Sequence, residues 1–255
     1  MSINKSSILL ICLIFYSYSE ISDADVRNIF TVSSIDYDGI GHSMVVENTF
    51  VAKVHSRFSV LLRAYNDSRK SWNNNIFTLG PVINIGKYHY AELTYGFGRD
   101  SDGRRADYFS AEIVREMPKY LTGIGYMHRK YPGYTYSTLS PSLKYRITDK
   151  IALWGKSFAS LDSDDNFDHA YWTDIEYKIS PKFAVTLGYT GGNRLYSPEY
   201  ETLFLDAPDM NFHSIIGQLS FSLKENISIK YLYEYMTRQT EYNDIKHVFI
   251  LDARL

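Results

Sequence analysis

Strict alternation of apolar and polar side chains is the feature that most constrains the fold of this chain. Apolar residues alternate with small or polar ones along residues 183–189, and residues 171–178 repeat the pattern with Asp174, Glu176 and Lys178 on the polar face. A period of two predicts a β-strand whose successive side chains point to opposite faces. A face that carries Asp, Glu and Lys cannot lie in a dry core, so it must meet water or opposite charges.

The same strand pattern recurs from residue 27 onward in about fourteen runs, and the connections between the runs alternate in length. The short connections are centred on His55, Lys87, Pro118, Asp149, Pro181 and Glu225. The long ones are centred on Gly39, Lys70, Asp102, Pro132, Asp164, residues 191–211 and Glu241. Tight turns at one end and longer loops at the other are typical of outer-membrane barrels, whereas a soluble β-sandwich has no reason to segregate loop lengths. We therefore predict an all-β fold, a single antiparallel transmembrane β-barrel of about fourteen strands, with twelve as the alternative.

The composition agrees with a barrel that has a polar interior. Aromatic residues make up 16% of the chain and Tyr alone contributes 23 residues, yet the mean hydropathy is −0.26. Tyr concentrates at membrane–water interfaces, but a Tyr-rich soluble sandwich has the same composition, so composition alone leaves both open. The formal charge of −2 provides no basic surface for nucleic acid.

The first residues have the organisation of a secretory signal. Lys5 precedes the apolar run of residues 8–15, and Ser17 and Ser19 form a small-x-small cleavage site. We predict a signal peptide over residues 1–19 and a barrel domain over residues 27–255 in a bacterial outer membrane. Cys12, the one cysteine of the chain, lies in the predicted signal, so disulfides are not expected in the mature protein.

Charged residues of the strands fall on the face opposite the apolar one. A charge on the lipid face costs about 2–4 kcal/mol at mid-depth, so these residues are expected to face the lumen. The predicted lumen-lining residues are Glu47, Arg63, Glu92, Glu112, Lys144, Arg146, Asp174, Glu176, Lys178, Lys230 and Glu234. Pro81 and Pro141 interrupt strand runs, and we expect them at the membrane rim or at bulges because each lacks an N–H.

The longest connection, residues 191–211, is too apolar for a freely solvated loop. Its Leu195, Tyr196, Tyr200 and Phe204 predict either a segment that folds inward and constricts the lumen or one that binds a partner outside. The constriction is the preferred interpretation.

Two chemical alternatives are weaker. His42, His128, His169 and His213 fall near predicted outer strand ends, where a few barrel enzymes hold catalytic groups, but interfacial polar residues account for them equally well. The acidic run that begins at Asp162 lacks the Gly and the distal Glu of a calcium loop, so a solvated loop is expected. We predict no catalytic residue, no metal and no cofactor.

Residues 117–131, MPKYLTGIGYMHRKY, form a Pro-Lys turn into a Gly-rich strand that ends in Arg-Lys-Tyr. Through this motif, the region from about residue 89 to residue 192 resembles the YaiO family of bacterial outer-membrane barrels. It implies an outer-membrane location and a pore or export-related role, sometimes alongside polysaccharide-handling proteins, and it brings no catalytic residues. Leu255 stands where bacterial barrels usually end in Phe.

The function expected from these features is a pore or export channel for small polar or saccharide solutes with a charged lumen. The alternatives are a structural or adhesion barrel with an occluded lumen, or an outer-membrane enzyme. The expected partners are outer-membrane lipid, the barrel-insertion machinery and polysaccharide or export proteins, and the barrel is expected to be a monomer.

Overall fold

The computed structural model describes residues 26–37, 41–69, 72–100, 105–131, 133–193, 211–238 and 243–254. Its fourteen strands are β1 (Val26–Tyr37), β2 (Gly41–His55), β3 (Phe58–Arg69), β4 (Trp72–Gly86), β5 (His89–Asp100), β6 (Arg105–Glu116), β7 (Tyr120–Tyr131), β8 (Tyr134–Arg146), β9 (Ile151–Asp162), β10 (Phe167–Ser180), β11 (Phe183–Gly192), β12 (Phe212–Lys224), β13 (Ile227–Arg238) and β14 (Asn243–Arg254). Each strand pairs with its neighbours in sequence, and β1 pairs antiparallel with β14 to close the barrel. The prediction of a fourteen-stranded antiparallel barrel is confirmed.

The two ends of the barrel differ in the length of their connections. Turns of two to four residues, such as Ser56-Arg57 and Glu225-Asn226, join the strands at one end, which we call the short-turn end. The opposite end, which carries the connection between β11 and β12, is called the long-loop end. The ladder shifts register at four short turns, after Lys53, Asn84, Lys178 and Ser222. These register shifts allow tight turns at the short-turn end, while the side chains in the rest of each strand keep their alternation between the inward and outward faces.

Burial in this barrel is the reverse of burial in a soluble protein. Leu187 and Ile215, on the outward face, are 61% and 64% exposed. Charged groups on the inward face are buried instead, with Glu234 at 2% and Lys156 at 5%. Such a distribution fits a molecule whose apolar band is covered by lipid and whose interior carries the polar groups.

The two strand prolines lie within regular register rather than at bulges. On the β4–β5 ladder, Leu79 pairs with Tyr95 and Val82 with Glu92, so the register is the same on both sides of Pro81. The β8–β9 ladder is likewise in register on both sides of Pro141, from Leu139 to Ser142. In each case the rungs at the proline are missing from one ladder, because proline has no N–H to donate. The other ladder of each strand stays paired at the proline.

Several strands extend farther toward the long-loop end than the sequence pattern predicts. The sequence pattern predicts a polar loop over residues 66–75, the connection centred on Lys70, but β3 runs to Arg69 and β4 starts at Trp72. The amide of Asn66 donates to the side-chain oxygen of Asn75 at 2.6 Å across this hairpin. Polar cross-strand pairs therefore continue the ladder where the alternation of apolar residues has ended.

No helix long and apolar enough to cross a membrane occurs among the residues that the structure describes. Residues 1–25, which include Cys12 and the predicted signal peptide, lie outside the described ranges.

Candidate functional site

The barrel interior contains a cavity of about 360 Å³, here called the charged chamber. Three acidic residues, Glu47, Asp174 and Glu176, and three basic residues, Lys144, Lys230 and Lys246, line it. Its apolar lining is formed by Val45, Trp154, Trp172, Ile216, Leu232, Val248 and Ile250, and its neutral polar lining by Thr31, Ser33, Thr186 and Gln218. The formal charges of the lining therefore balance.

Ion pairs hold most of these charges in place. Lys144 Nζ donates to Glu176 Oε2 at 3.1 Å, across the intervening strand β9. Lys246 Nζ lies 3.9 Å from Glu234 Oε2, and Glu234 also accepts a hydrogen bond of 2.7 Å from the Ser214 hydroxyl. A buried charge without such partners would cost several kcal/mol, on the order of the desolvation of one ion. The pairs offset part of that desolvation cost and keep the wall of the chamber polar.

A second, smaller cavity of about 130 Å³, the side cavity, lies against strands β3 and β5 to β9. It is lined by Arg63, Glu92, Glu112 and Lys156 among others. Lys156 Nζ on β9 lies 3.7 Å from Glu112 Oε1 on β6, so this pair reaches over the two strands between them.

Apolar side chains pack inside the barrel near the long-loop end in two groups, beside buried charged residues that include Arg129, Arg238 and Asp244. The first group, cluster A, consists of Ile35, Val45, Tyr65, Ile76 and Tyr108. The second, cluster B, consists of Phe158, Ala170, Phe212 and Met236, with Trp172 packed against it. Every member of the two clusters lies within the first five residues of its strand counted from the long-loop end. Phe212 is 0% exposed and Met236 2%, so side chains occupy this level of the interior.

These clusters were not predicted from the sequence, because apolar residues were assigned to the lipid face. The sequence pattern also does not separate the two faces of residues 151–159. In the structure Trp154, Lys156 and Phe158 share the inward face of β9, which explains the mixed pattern. Clusters A and B could have been predicted from the aromatic residues at inward positions near the long-loop ends of the strands.

The eleven charged residues predicted to line the lumen occupy four different environments. Glu47, Lys144, Asp174, Glu176 and Lys230 lie around the charged chamber, and Arg63, Glu92 and Glu112 around the side cavity. Glu234 is buried beside Lys246. At the short-turn end, Arg146 donates to the Pro118 carbonyl at 3.2 Å, and Lys178 is exposed. Whether any of them contacts a solute stays a prediction.

The four residues predicted to constrict the lumen, Leu195, Tyr196, Tyr200 and Phe204, lie outside the described residues. Strand β11 continues to Gly192, so the connection begins later than the alternation of residues 183–189 indicates.

Histidine–serine neighbours in sequence point to opposite faces of the wall. Ser43 and Ser214 are buried on the inward face, whereas His42 and His213 are exposed on the outward face. The outward histidines contact hydroxyls across the strands instead, as in His42 Nε2 to Ser34 Oγ at 3.1 Å and His128 Nδ1 to Ser137 Oγ at 3.0 Å. His169, also outward, is exposed, and its backbone N–H donates to Asn193.

The acidic connection after β9 is organised as a turn. The Asp162 carboxylate accepts hydrogen bonds of 2.9 Å from the backbone N–H groups of Asp164 and Asn166. This use of the carboxylate stabilises the turn in the manner of an Asx-turn. Among the described residues, no three His, Cys, Asp or Glu side chains converge in a way that could hold a metal ion.

Comparison with known proteins gives matches at the level of structure alone. No protein-family profile matches this chain, and no curated protein sequence matches it. The CymD monoaromatic hydrocarbon channel superposes with a TM-score of 0.63 at 8% identity, over 91% of this chain and 88% of that one. The Ralstonia pickettii toluene transporter TbuX gives 0.60 at 8% identity, over 91% and 90%. An outer-membrane channel from Pseudomonas putida F1 gives 0.55 at 11% identity, over 91% and 95%. These similarities show that the chain has the fold of outer-membrane β-barrel channels.

Proposed function

We propose that this protein is an outer-membrane channel for small polar solutes. The observation that carries the proposal is a chamber lined by six ionisable side chains inside a closed barrel whose outward face is apolar. Charged groups inside a barrel are expensive to maintain unless water or a polar solute meets them. A bacterial outer membrane is the location that suits this exterior, with lipid and the barrel-insertion machinery as partners.

The family assignment remains a prediction. Residues 117–131 are similar to the corresponding turn and strand of YaiO barrels, and an export role or a polysaccharide-handling partner would follow from that resemblance. The channels with similar structures favour transport over catalysis as the general role. Two of them carry hydrocarbons by name, but six ionisable groups around the charged chamber favour a polar solute here.

A structural barrel with an occluded lumen is the second candidate. It is favoured by clusters A and B, whose side chains are almost entirely buried inside the barrel near the long-loop end. In the channel proposal these clusters form an apolar constriction through which solute passes slowly or after rearrangement.

Single-channel recording in planar bilayers separates the two candidates. The double substitution Phe212→Ala with Met236→Ala removes two buried side chains of cluster B and should raise the conductance of the barrel several-fold, because it widens the constriction. A matched control is Ile215→Ala with Tyr235→Ala, which truncates outward side chains of the same two strands and should leave the conductance unchanged.

Absence of current from both the native barrel and the widened variant would contradict the channel and support the structural barrel. The predicted constriction by residues 191–211 is tested in the same recordings. Deletion of residues 194–210 should increase the current if that segment narrows the lumen.

A further inference from the structure

Two opposite charges in the charged chamber differ from the others because no counter-charge lies within 4.0 Å of them, although Lys144 acts on Asp174, and Glu176 and Asp252 on Lys230, from farther away. Among the described residues, Asp174 and Lys230 take part in no side-chain hydrogen bond and in no ion pair within 4.0 Å. The bases that share their chamber are committed elsewhere, since Lys144 binds Glu176 and Lys246 lies beside Glu234.

The neighbours of these two residues across the strands explain why they are unpaired. Asp174 on β10 lies directly opposite Trp154 on β9 and Gly188 on β11, so neither residue offers a base. Lys144, which lies opposite Trp154 on the other side of β9, is bound to Glu176. Lys230 on β13 lies directly opposite Ser220 on β12 and Ile250 on β14. The next inward residue of β14 is the acid Asp252, but both of its carboxylate oxygens accept hydrogen bonds from Arg27. One carboxylate and one ammonium group therefore face the same cavity with their pairing capacity available.

We propose that the charged chamber binds a small zwitterion, an amino acid or short peptide, with its ammonium group at Asp174 and its carboxylate at Lys230. This inference deepens the proposed function and rests on it, because it names the class of solute. A neutral saccharide would leave both groups without an ion-pair partner in direct contact, and an anion or a cation would supply such a partner to one of them alone.

The dimensions of the chamber suit a solute of this size. Three strand spacings separate β10 from β13, or roughly 14 Å along the wall, and Lys230 lies four residues, or about 13 Å, along β13 from Glu234, which is level with Asp174. The curvature of the wall and the two inward side chains shorten this span. A dipeptide in extended form covers about 7 Å. The volume of about 360 Å³ falls at the lower end of small-molecule sites.

Apolar side chains beside each charge would accept the body of such a solute. Trp154 and Trp172 pack edge to face with ring centroids 4.0 Å apart. Trp154 lies opposite Asp174 on the neighbouring strand, and Trp172 is the preceding inward residue of β10. Leu232 and Ile250 hold the corresponding positions beside Lys230. A peptide could place its termini on the charges and its side chains on these surfaces.

Indole fluorescence measures binding without requiring conduction. The chain has three Trp residues, so Trp72→Phe leaves emission from Trp154 and Trp172 at the chamber. The folded barrel in detergent is titrated at pH 7 with alanyl-alanine and with its N-acetylated, C-amidated and doubly capped forms. The free dipeptide should bind about tenfold more tightly than either singly capped form, as expected for one additional charge-assisted hydrogen bond.

Substitutions assign each terminus to its partner. Asp174→Asn should weaken the free and amidated peptides about tenfold and leave the acetylated peptide unchanged. Lys230→Gln should weaken the free and acetylated peptides by a similar factor and leave the amidated peptide unchanged. Lys178→Gln, which removes an exposed charge at the short-turn end of β10, is the control and should change none of the four affinities.

The inference is overturned if the four peptides bind alike, if none binds, or if a neutral pentose such as arabinose binds as well as the free dipeptide. Current through the native barrel together with equal peptide affinities would reject the zwitterion and leave the channel standing. The predicted peptide pattern in a barrel that passes no current would reject the channel and keep the binding site.

Discussion

At the scale of single residues, Gly96 allows an aromatic side chain to cross a strand. The ring of Tyr108 on β6 lies directly over Gly96 on β5, where any Cβ would overlap its ring atoms. The Tyr108 hydroxyl thereby reaches the Thr78 hydroxyl on β4 and hydrogen-bonds with it. Cluster A depends on this placement of Tyr108.

Gly96→Ala should destabilise the barrel by about 1–3 kcal/mol, because the added methyl group displaces the Tyr108 ring and breaks its hydrogen bond with Thr78. Urea unfolding in lipid vesicles measures the change. Gly217→Ala on β12 is the control, since its Cβ would meet nothing within 4 Å and should leave stability equal or slightly higher. Equal effects of the two substitutions would show that the ring is not held against Gly96.

The sequence predicted the face of each charged residue more readily than its partner. The period of two placed Glu112 and Lys144 on the inward face because lipid excludes charge from the other face. It could not predict that Glu112 would pair with Lys156, because that contact depends on barrel curvature and on side-chain length across two strands. A contact between side chains of strands that are not neighbours leaves no pattern in the sequence around either residue.

At the scale of elements, the contact between the first and last strands closes the sheet. Arg27 on β1 donates from Nε and Nη2 to the two carboxylate oxygens of Asp252 on β14, at 3.0 and 2.7 Å. The side chain of Asp252 is 12% exposed and that of Arg27 41%. A bidentate pair fixes register as well as adding energy, so it is suited to joining strands that are far apart in sequence.

Arg27→Gln should therefore lower the free energy of unfolding by about 1 kcal/mol and slow barrel closure, because half-buried bidentate pairs contribute more than exposed ones. Gel mobility of unheated samples, taken over time after refolding begins, reports closure. The control is Arg105→Gln, since the Arg105–Asp107 pair lies within one strand and Arg105 is 62% exposed. If both variants refold at the native rate, the pair has no role in closing the seam.

The residues at which strands begin and end were also harder to predict from the sequence than the number of strands. The number of strands and the sides of the short turns follow from alternation and turn residues, whereas the extension of β3 and β4 into residues 66–75 does not. Side chains beyond the apolar band are polar on both faces, so the period fades although the backbone ladder continues. Asn66 and Asn75 appear as a loop in sequence and as a cross-strand pair in space.

At the scale of the whole molecule, the apolar exterior requires a bilayer to cover it. Leu187 lies near the middle of β11, opposite Ile175 on β10 and Gly217 on β12, and points outward at 61% exposure. Leu223 is similarly exposed, at 48%, but stands at the short-turn end of β12. In water these two leucines would be equivalent surface residues. In a membrane their depths differ, and so does the cost of placing a charge at each position.

Leu187→Arg should reduce the free energy of unfolding in phospholipid vesicles by about 2–4 kcal/mol, and Leu223→Arg by about 0–1 kcal/mol, because an arginine at the rim reaches the headgroups whereas one at mid-depth remains in hydrocarbon. Denaturant titration of both variants against the native barrel gives the two values. Since both substitutions add the same side chain to an exposed position, their difference isolates depth. Equal costs, or a gain in solubility without detergent for Leu187→Arg, would mean that lipid does not surround this surface, and the proposed location would fail with it.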